Sequence, residues 1–146
     1  MNNTSTSTLQ KIEKLVMDTH ILIWYLEGVE LSQQQVQIIE SQRNLNQLYI
    51  SAISIWEVSM LINKKKAAIS IPINEWLNKV LSIPGLNIID LSLTVLVESC
   101  NLPDFDHKDP ADRMIIASTR EIDGHLLTFD KRILEYANNG YLKLCY

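Results

Sequence analysis

Short apolar runs alternate with longer amphipathic stretches along most of the chain. Leu15-Val16-Met17 is an apolar run that Asp18 ends, as a buried strand would. Leu48-Tyr49-Ile50, Leu86 to Ile89, Leu126-Leu127 and Tyr141 to Leu144 read as further strands. Between them the period changes. His20 to Glu27 places Ile21, Trp24 and Tyr25 at helical spacing, with Gly28 as a stop. Leu31 to Asn46 is polar and Gln-rich, with apolar Val36, Ile39 and Leu45. It reads as a surface helix opened by Ser32. Ile53 to Asn63 carries a wide apolar face of Ile55, Val58, Met60, Leu61 and Ile62. Lys64-Lys65-Lys66 closes it, a solvated charge run suited to the negative helix end. Pro72 and Asn74 precede a helix through Leu81, stopped by Ser82 and Pro84-Gly85. Ser92 to Cys100, Asp109-Pro110 to about Ile122, and Lys131 to Tyr136 complete the set.

The strands lack polar alternation, so both of their faces are buried. Strands alternating with helices then predict an open parallel sheet covered by helices on both sides. The 146 residues suit one domain. Residues 1–14, rich in Ser, Thr and Asn over the first ten, read as a flexible tail ahead of a domain at 15–146.

Composition narrows the function. Hydrophobic residues at 47% and charged residues at 21% exclude wholesale disorder. A net charge of −4 excludes a strongly basic nucleic-acid binder. It leaves room for a nucleic-acid enzyme that relies on a local patch and a bound metal. Cys100 and Cys145 show neither zinc-ligand spacing nor a disulfide framework. No secretory signal and no membrane-length apolar run is apparent, so the expectation is a cytoplasmic protein with no membrane association.

The acids carry the chemistry. Asp18 follows the first strand, and Glu57 lies in the first turn of the helix after the second. Asp109 and Asp112 flank the start of the long helix, and Asp130 follows the fourth strand. In an open α/β sheet, ligands bind at the carboxyl ends of the strands. Four chain segments therefore deliver carboxylates to one predicted edge. Such a cluster repels itself unless a cation neutralises it, and oxygen-only ligands suit Mg²⁺ or Mn²⁺. No phosphate-cradling glycine loop is present, which argues against an NTPase.

Each acid also has a purely structural reading. Ser54-x-x-Glu57 fits a capping box. Asp109-Pro110 fits an N-cap with proline in the first turn, where Asp112 is favourable too. Asp130 fits a cap for the helix after it. Arg113, Lys131 and Arg132 lie beside the acids and are candidates for phosphate contact, although Arg113 also suits pairing with a site acid. His20, His107 and His125 are expected in packing or loop roles, since a site with this many acids does not need them. Trp24, Trp56 and Trp76 are expected in the core, while an exposed ring would suit stacking on a base.

Four blocks in order resemble the PIN domain family: Val16-Met17-Asp18-Thr19-His20-Ile21-Leu22-Ile23-Trp24-Tyr25-Leu26, Ile50-Ser51-Ala52-Ile53-Ser54-Ile55-Trp56-Glu57-Val58, His107-Lys108-Asp109-Pro110-Ala111-Asp112-Arg113-Met114-Ile115-Ile116-Ala117, and Leu127-Thr128-Phe129-Asp130. The likeness is greatest to the VapC-type toxins of bacterial toxin–antitoxin pairs. It implies a PIN-like three-layer sandwich with a five-stranded parallel sheet, and a Mg²⁺- or Mn²⁺-dependent endoribonuclease. Carried over by position, it implies Asp18, Glu57, Asp112 and Asp130 as catalytic, metal-binding acids. Thr19, Asp109 and Thr128 would support them from behind. Partners implied are an RNA substrate, transfer or ribosomal, a VapB-like antitoxin and a second copy of the chain in a homodimer. Two rivals use the same acids. One is a phosphohydrolase acting on small phosphate esters, but the paired-acid motif of haloacid-dehalogenase-like enzymes fails where the chain has His20. The other is an inert binding module on the same fold.

Overall fold

In the computed structural model, which describes residues 11–65, 69 and 71–146, the expected strands pair into one sheet. They are β1 (Leu15–Met17), β2 (Leu48–Ser51), β3 (Leu86–Ile89), β4 (His125–Leu127) and β5 (Lys143–Leu144), in the order β3-β2-β1-β4-β5. Every pairing is parallel. The helices among the described residues are α1 (Thr19–Glu27), α2 (Gln33–Asn44), α3 (Ile53–Asn63), α4 (Ile73–Leu81), α5 (Leu93–Cys100), α6 (Pro110–Glu121) and α7 (Lys131–Ala137). None is long and apolar enough to cross a membrane.

Strand alternation sorts the apolar residues into two cores. Leu15, Met17, Leu48, Ile50 and Leu127 pack with Ile21, Ile39, Val58, Trp76 and Val80 of α1 to α4. Val16, Ile89, Leu126 and Leu144 pack on the other face with Val95, Ile115, Ile116 and Ile133 of α5 to α7. Both sheet faces are covered, so the expected three-layer sandwich is the observed one. Isolated strands this short would not hold together in water. Burial of both faces stabilises them.

Local chemistry sets the helix starts. Ser32 and Gln35 form a reciprocal capping box at α2. Ser92 caps α5, and Asp109 caps α6 with Pro110 in the first turn. The capping box expected at Ser54 and Glu57 is absent. Helix α3 begins at Ile53, so Ser54 lies inside it, and its hydroxyl meets the Thr19 hydroxyl at 2.9 Å.

Residues 1–10 of the expected tail lie outside the described residues, as does Lys66. Ile12 packs against the α1–α4 core. Gln42 Nε2 donates to the Glu13 carbonyl at 2.9 Å, and the His125 N–H donates to the Lys14 carbonyl at 2.8 Å. Lys64 and Lys65 are exposed.

The turn into β3 depends on one glycine. Gly85 has φ +75°, and a Cβ there would sit 1.9 Å from the Arg43 carbonyl oxygen. Gly85→Ala is expected to lose roughly 1–3 kcal/mol from the left-handed backbone alone, and more from the backbone clash. Chemical denaturation measures this directly. An unchanged midpoint would show that the α2–β3 contact is looser than drawn.

The strand order places the site. After β1 the chain adds β2 and β3 on one side, then returns to add β4 and β5 on the other. The connections diverge at the carboxyl ends of β1 and β4, leaving a crevice there.

Candidate active site

Asp18 leaves β1 at this crevice and caps α1 by accepting the Ile21 N–H at 2.9 Å through Oδ1. Its other oxygen, Oδ2, accepts from the Thr128 hydroxyl just past β4. The Asp130 N–H donates to that same hydroxyl at 3.1 Å, so β1 and β4 are tied by a short polar chain. The Thr19 hydroxyl, one residue after Asp18, donates to Glu57 Oε1 on α3. Asp109 Oδ1 accepts the Ala111 and Asp112 N–H groups, and Asp130 Oδ1 accepts those of Arg132 and Ile133.

These elements converge on one cavity of about 310 Å³, lined by Asp18, Thr19, His20, Trp24, Glu57, Asp109, Asp112, Ile115, Phe129 and Asp130. All five singled-out acids are there. Each is also tied into the fold by at least one hydrogen bond. In Glu57, Asp109, Asp112 and Asp130, one oxygen is held by the protein and the other has no hydrogen bond among the described residues.

The electrostatics match a site that wants a cation. Burial pushes the Asp18 carboxyl above the usual range, against the opposing hydrogen bonds from Thr128 and Ile21. Burial raises Glu57 as well, with Asp109 and Asp18 adding repulsion and Thr19 opposing it. Asp112 is pushed up to about 6, by burial first and by the negative charges of Asp109 and Asp130. A bound divalent ion would reverse all three shifts. Carboxylate oxygens of this kind suit a hard divalent cation. Ligand atoms of His107, Asp109 and Asp112 lie within 4.8 Å of one another.

His107 has more to do than the sequence suggested. Its Nε2 lies 2.8 Å from Asp112 Oδ2, and Arg132 Nη1 lies 2.6 Å from its Nδ1. Arg132 can only donate, so Nδ1 accepts and Nε2 carries the proton toward Asp112. The ring thereby fixes the Asp112 carboxylate. The signal was its place two residues before the helix-capping Asp109, but its partner Arg132 is 25 residues away. Arg132 also lines a neighbouring cavity of about 630 Å³ that shares Asp109 with the acid pocket.

Other expectations are corrected. Arg113 does not face the crevice. Its Nε donates to the Ser99 carbonyl, its Nη1 donates to those of Phe105 and His107, and its guanidinium lies 5.4 Å from the Phe105 ring centre. It braces the loop ahead of α6. Lys131 is exposed at the start of α7. His20 is exposed in the cavity wall and is not packed in the core. Trp76 is buried as expected, whereas Trp56 is 53% exposed because it lies on the outer side of α3.

Comparison with known proteins agrees with this geometry. The PIN domain family model matches residues 15–139. Ribonuclease VapC22 of Mycobacterium tuberculosis is 28% identical over 120 residues, spanning 82% of this chain and 88% of that protein. Three solved structures share the fold. A toxin–antitoxin complex from Klebsiella pneumoniae superposes with a TM-score of 0.61 at 22% identity, covering 91% of this chain and 98% of that one. VapBC2 from Rickettsia felis, bound to a DNA fragment from its promoter, gives 0.67 at 18% identity, covering 90% and 96%. FitAcB from Neisseria gonorrhoeae gives 0.63 at 15% identity, also covering 90% and 96%.

Proposed function

The chain belongs to the PIN domain family, and on that premise we propose that it is a metal-dependent endoribonuclease, the toxin of a VapBC-type pair acting in the cytoplasm. The observation that carries this reading is the convergence of Asp18, Glu57, Asp112 and Asp130, from four chain segments, on one cavity at the crevice of the sheet. Those residues would hold Mg²⁺ or Mn²⁺. Bound there, the ion would polarise a phosphate oxygen and make water a better nucleophile at neutral pH.

The protein's own groups supply orientation. Thr128 and the Ile21 N–H fix Asp18, Thr19 fixes Glu57, and His107 fixes Asp112. Asp130 is anchored by the first turn of α7. Attack of water on an RNA phosphodiester in this pocket would leave a 5′-phosphate and a 3′-hydroxyl.

An acidic cavity also suits inhibition by a protein partner. A basic side chain from a VapB-like antitoxin would pair with the carboxylates and exclude the metal. The homodimer belongs to the same proposal, as do the transfer and ribosomal RNA targets. Expression of the chain alone in a bacterial host is expected to halt growth, and coexpression of the cognate antitoxin to restore it. Normal growth with abundant soluble protein would contradict the toxin reading.

A further inference from the structure

Beside the acids, one wall of the cavity is aromatic. His20, Trp24 and Phe129 all line it. The His20 and Trp24 ring centres are 5.9 Å apart, and those of Trp24 and Phe129 are 5.7 Å apart with planes inclined by 34°. Phe129 is 45% exposed, and His20 is exposed as well. Phe129 lies between two anchored residues. Its neighbours Thr128 and Asp130 are both held, one to Asp18 and the other to the start of α7. The chain therefore keeps a ring at the lip of a strongly acidic pocket.

The charge of the pocket says what such a wall is for. RNA is a polyanion, and the carboxylates oppose its approach even with a cation bound. Uncharged surface near the scissile phosphate adds attraction that this repulsion does not touch. Every nucleobase offers a π-face, and stacking on an aromatic side chain needs a base free of its own helix. We propose that His20, Trp24 and Phe129 form a platform on which one unpaired base of the RNA substrate stacks beside the scissile phosphate. The platform rests on the ribonuclease reading above. It gives this site a preference for unpaired RNA and sets the register of the cut.

The test is binding, measured apart from cleavage. In an Asp18→Asn background with Mg²⁺, anisotropy of a fluorescein-labelled, mixed-sequence oligoribonucleotide is compared with that of the same strand annealed to its complement. The single strand should bind more tightly than the duplex. Phe129→Leu should weaken single-strand binding about tenfold, within the range one lost base–aromatic stack produces. Phe129→Tyr, which keeps the ring, should restore it. In the active enzyme Phe129→Leu should raise KM with little change in kcat. Equal binding of single strand and duplex, or unchanged binding by Phe129→Leu, overturns the platform. If those results accompany metal-dependent cleavage, the nuclease stands without it. Ring-dependent binding in a wild-type protein that cuts no RNA would support the platform and count against the nuclease.

Discussion

Asp18→Asn should reduce RNA cleavage more than a hundredfold while leaving the fold intact. Loss of a group that only orients a metal ligand typically costs about 10–100-fold, so loss of a ligand should exceed that range. The substitution keeps the size and shape of the side chain. Asparagine caps a helix as well as aspartate, so the bond to the Ile21 N–H survives. The charge goes, and with it the acceptor for the Thr128 hydroxyl, because the amide places an NH2 where Oδ2 stood. The variant should match wild type in circular dichroism, and its metal-free form should melt no lower. Full activity in this variant would remove Asp18 from the metal site. A collapsed melting temperature would show that its role is mainly to tie β1 to Thr128.

Asp112→Asn should make the metal-free protein more stable at neutral pH. Folding raises the Asp112 carboxyl to about 6, above the ordinary aspartate value near 3.8. Below that lower value both the folded and unfolded states hold the proton, and the group contributes nothing to pH dependence. Between about 4 and 6 the unfolded chain releases its proton first. Stability therefore falls as pH rises through this window, and the deficit persists above it. Raised Asp18 and Glu57 push the same way. In EDTA, wild type should melt lower at pH 7.5 than at pH 5, and Asp112→Asn should narrow that difference. Adding Mn²⁺ at pH 7.5 should raise the wild-type melting temperature by roughly 5–10 °C at a hundredfold excess over its dissociation constant. The variant should respond much less. A wild-type protein that melts higher at pH 7.5 than at pH 5 in EDTA would contradict this account of the carboxylates.

These effects share a cause: the site is built at the expense of stability. Burial that raises the acids, and mutual repulsion that adds to it, destabilise the metal-free fold. On the proposed function, the divalent ion that would compensate them is also the ion the chemistry would use.

Much of this was legible along the chain. β1 and α3 fall where the apolar runs place them, and Ser32 and Asp109-Pro110 open helices as their chemistry dictates. The acids were legible as a group because each follows a strand or begins a helix, and a parallel sheet brings such positions to one edge. What the sequence hid were bonds between distant segments. Thr128 reaches Asp18 across 110 positions and Thr19 reaches Glu57 across 38. Both depend on β1 lying between β2 and β4. The same strand order explains the misreadings. Ser54 and Glu57 have capping-box spacing, but Thr19 meets both of them from the neighbouring helix. Arg113 looked free beside the acids, but one turn into α6 it points back to the Ser99, Phe105 and His107 carbonyls. His107 looked incidental because nothing local shows Arg132 beside it.

The central claim is that these carboxylates form a metal-dependent ribonuclease site. Its most direct test is incubation of purified, antitoxin-free protein with total bacterial RNA in Mg²⁺, Mn²⁺ or EDTA, with Asp18→Asn alongside. The account predicts discrete fragments bearing 5′-phosphates, formed only with metal and only by the wild-type protein. Intact RNA in every lane, or fragments that persist in EDTA or with Asp18→Asn, would contradict it.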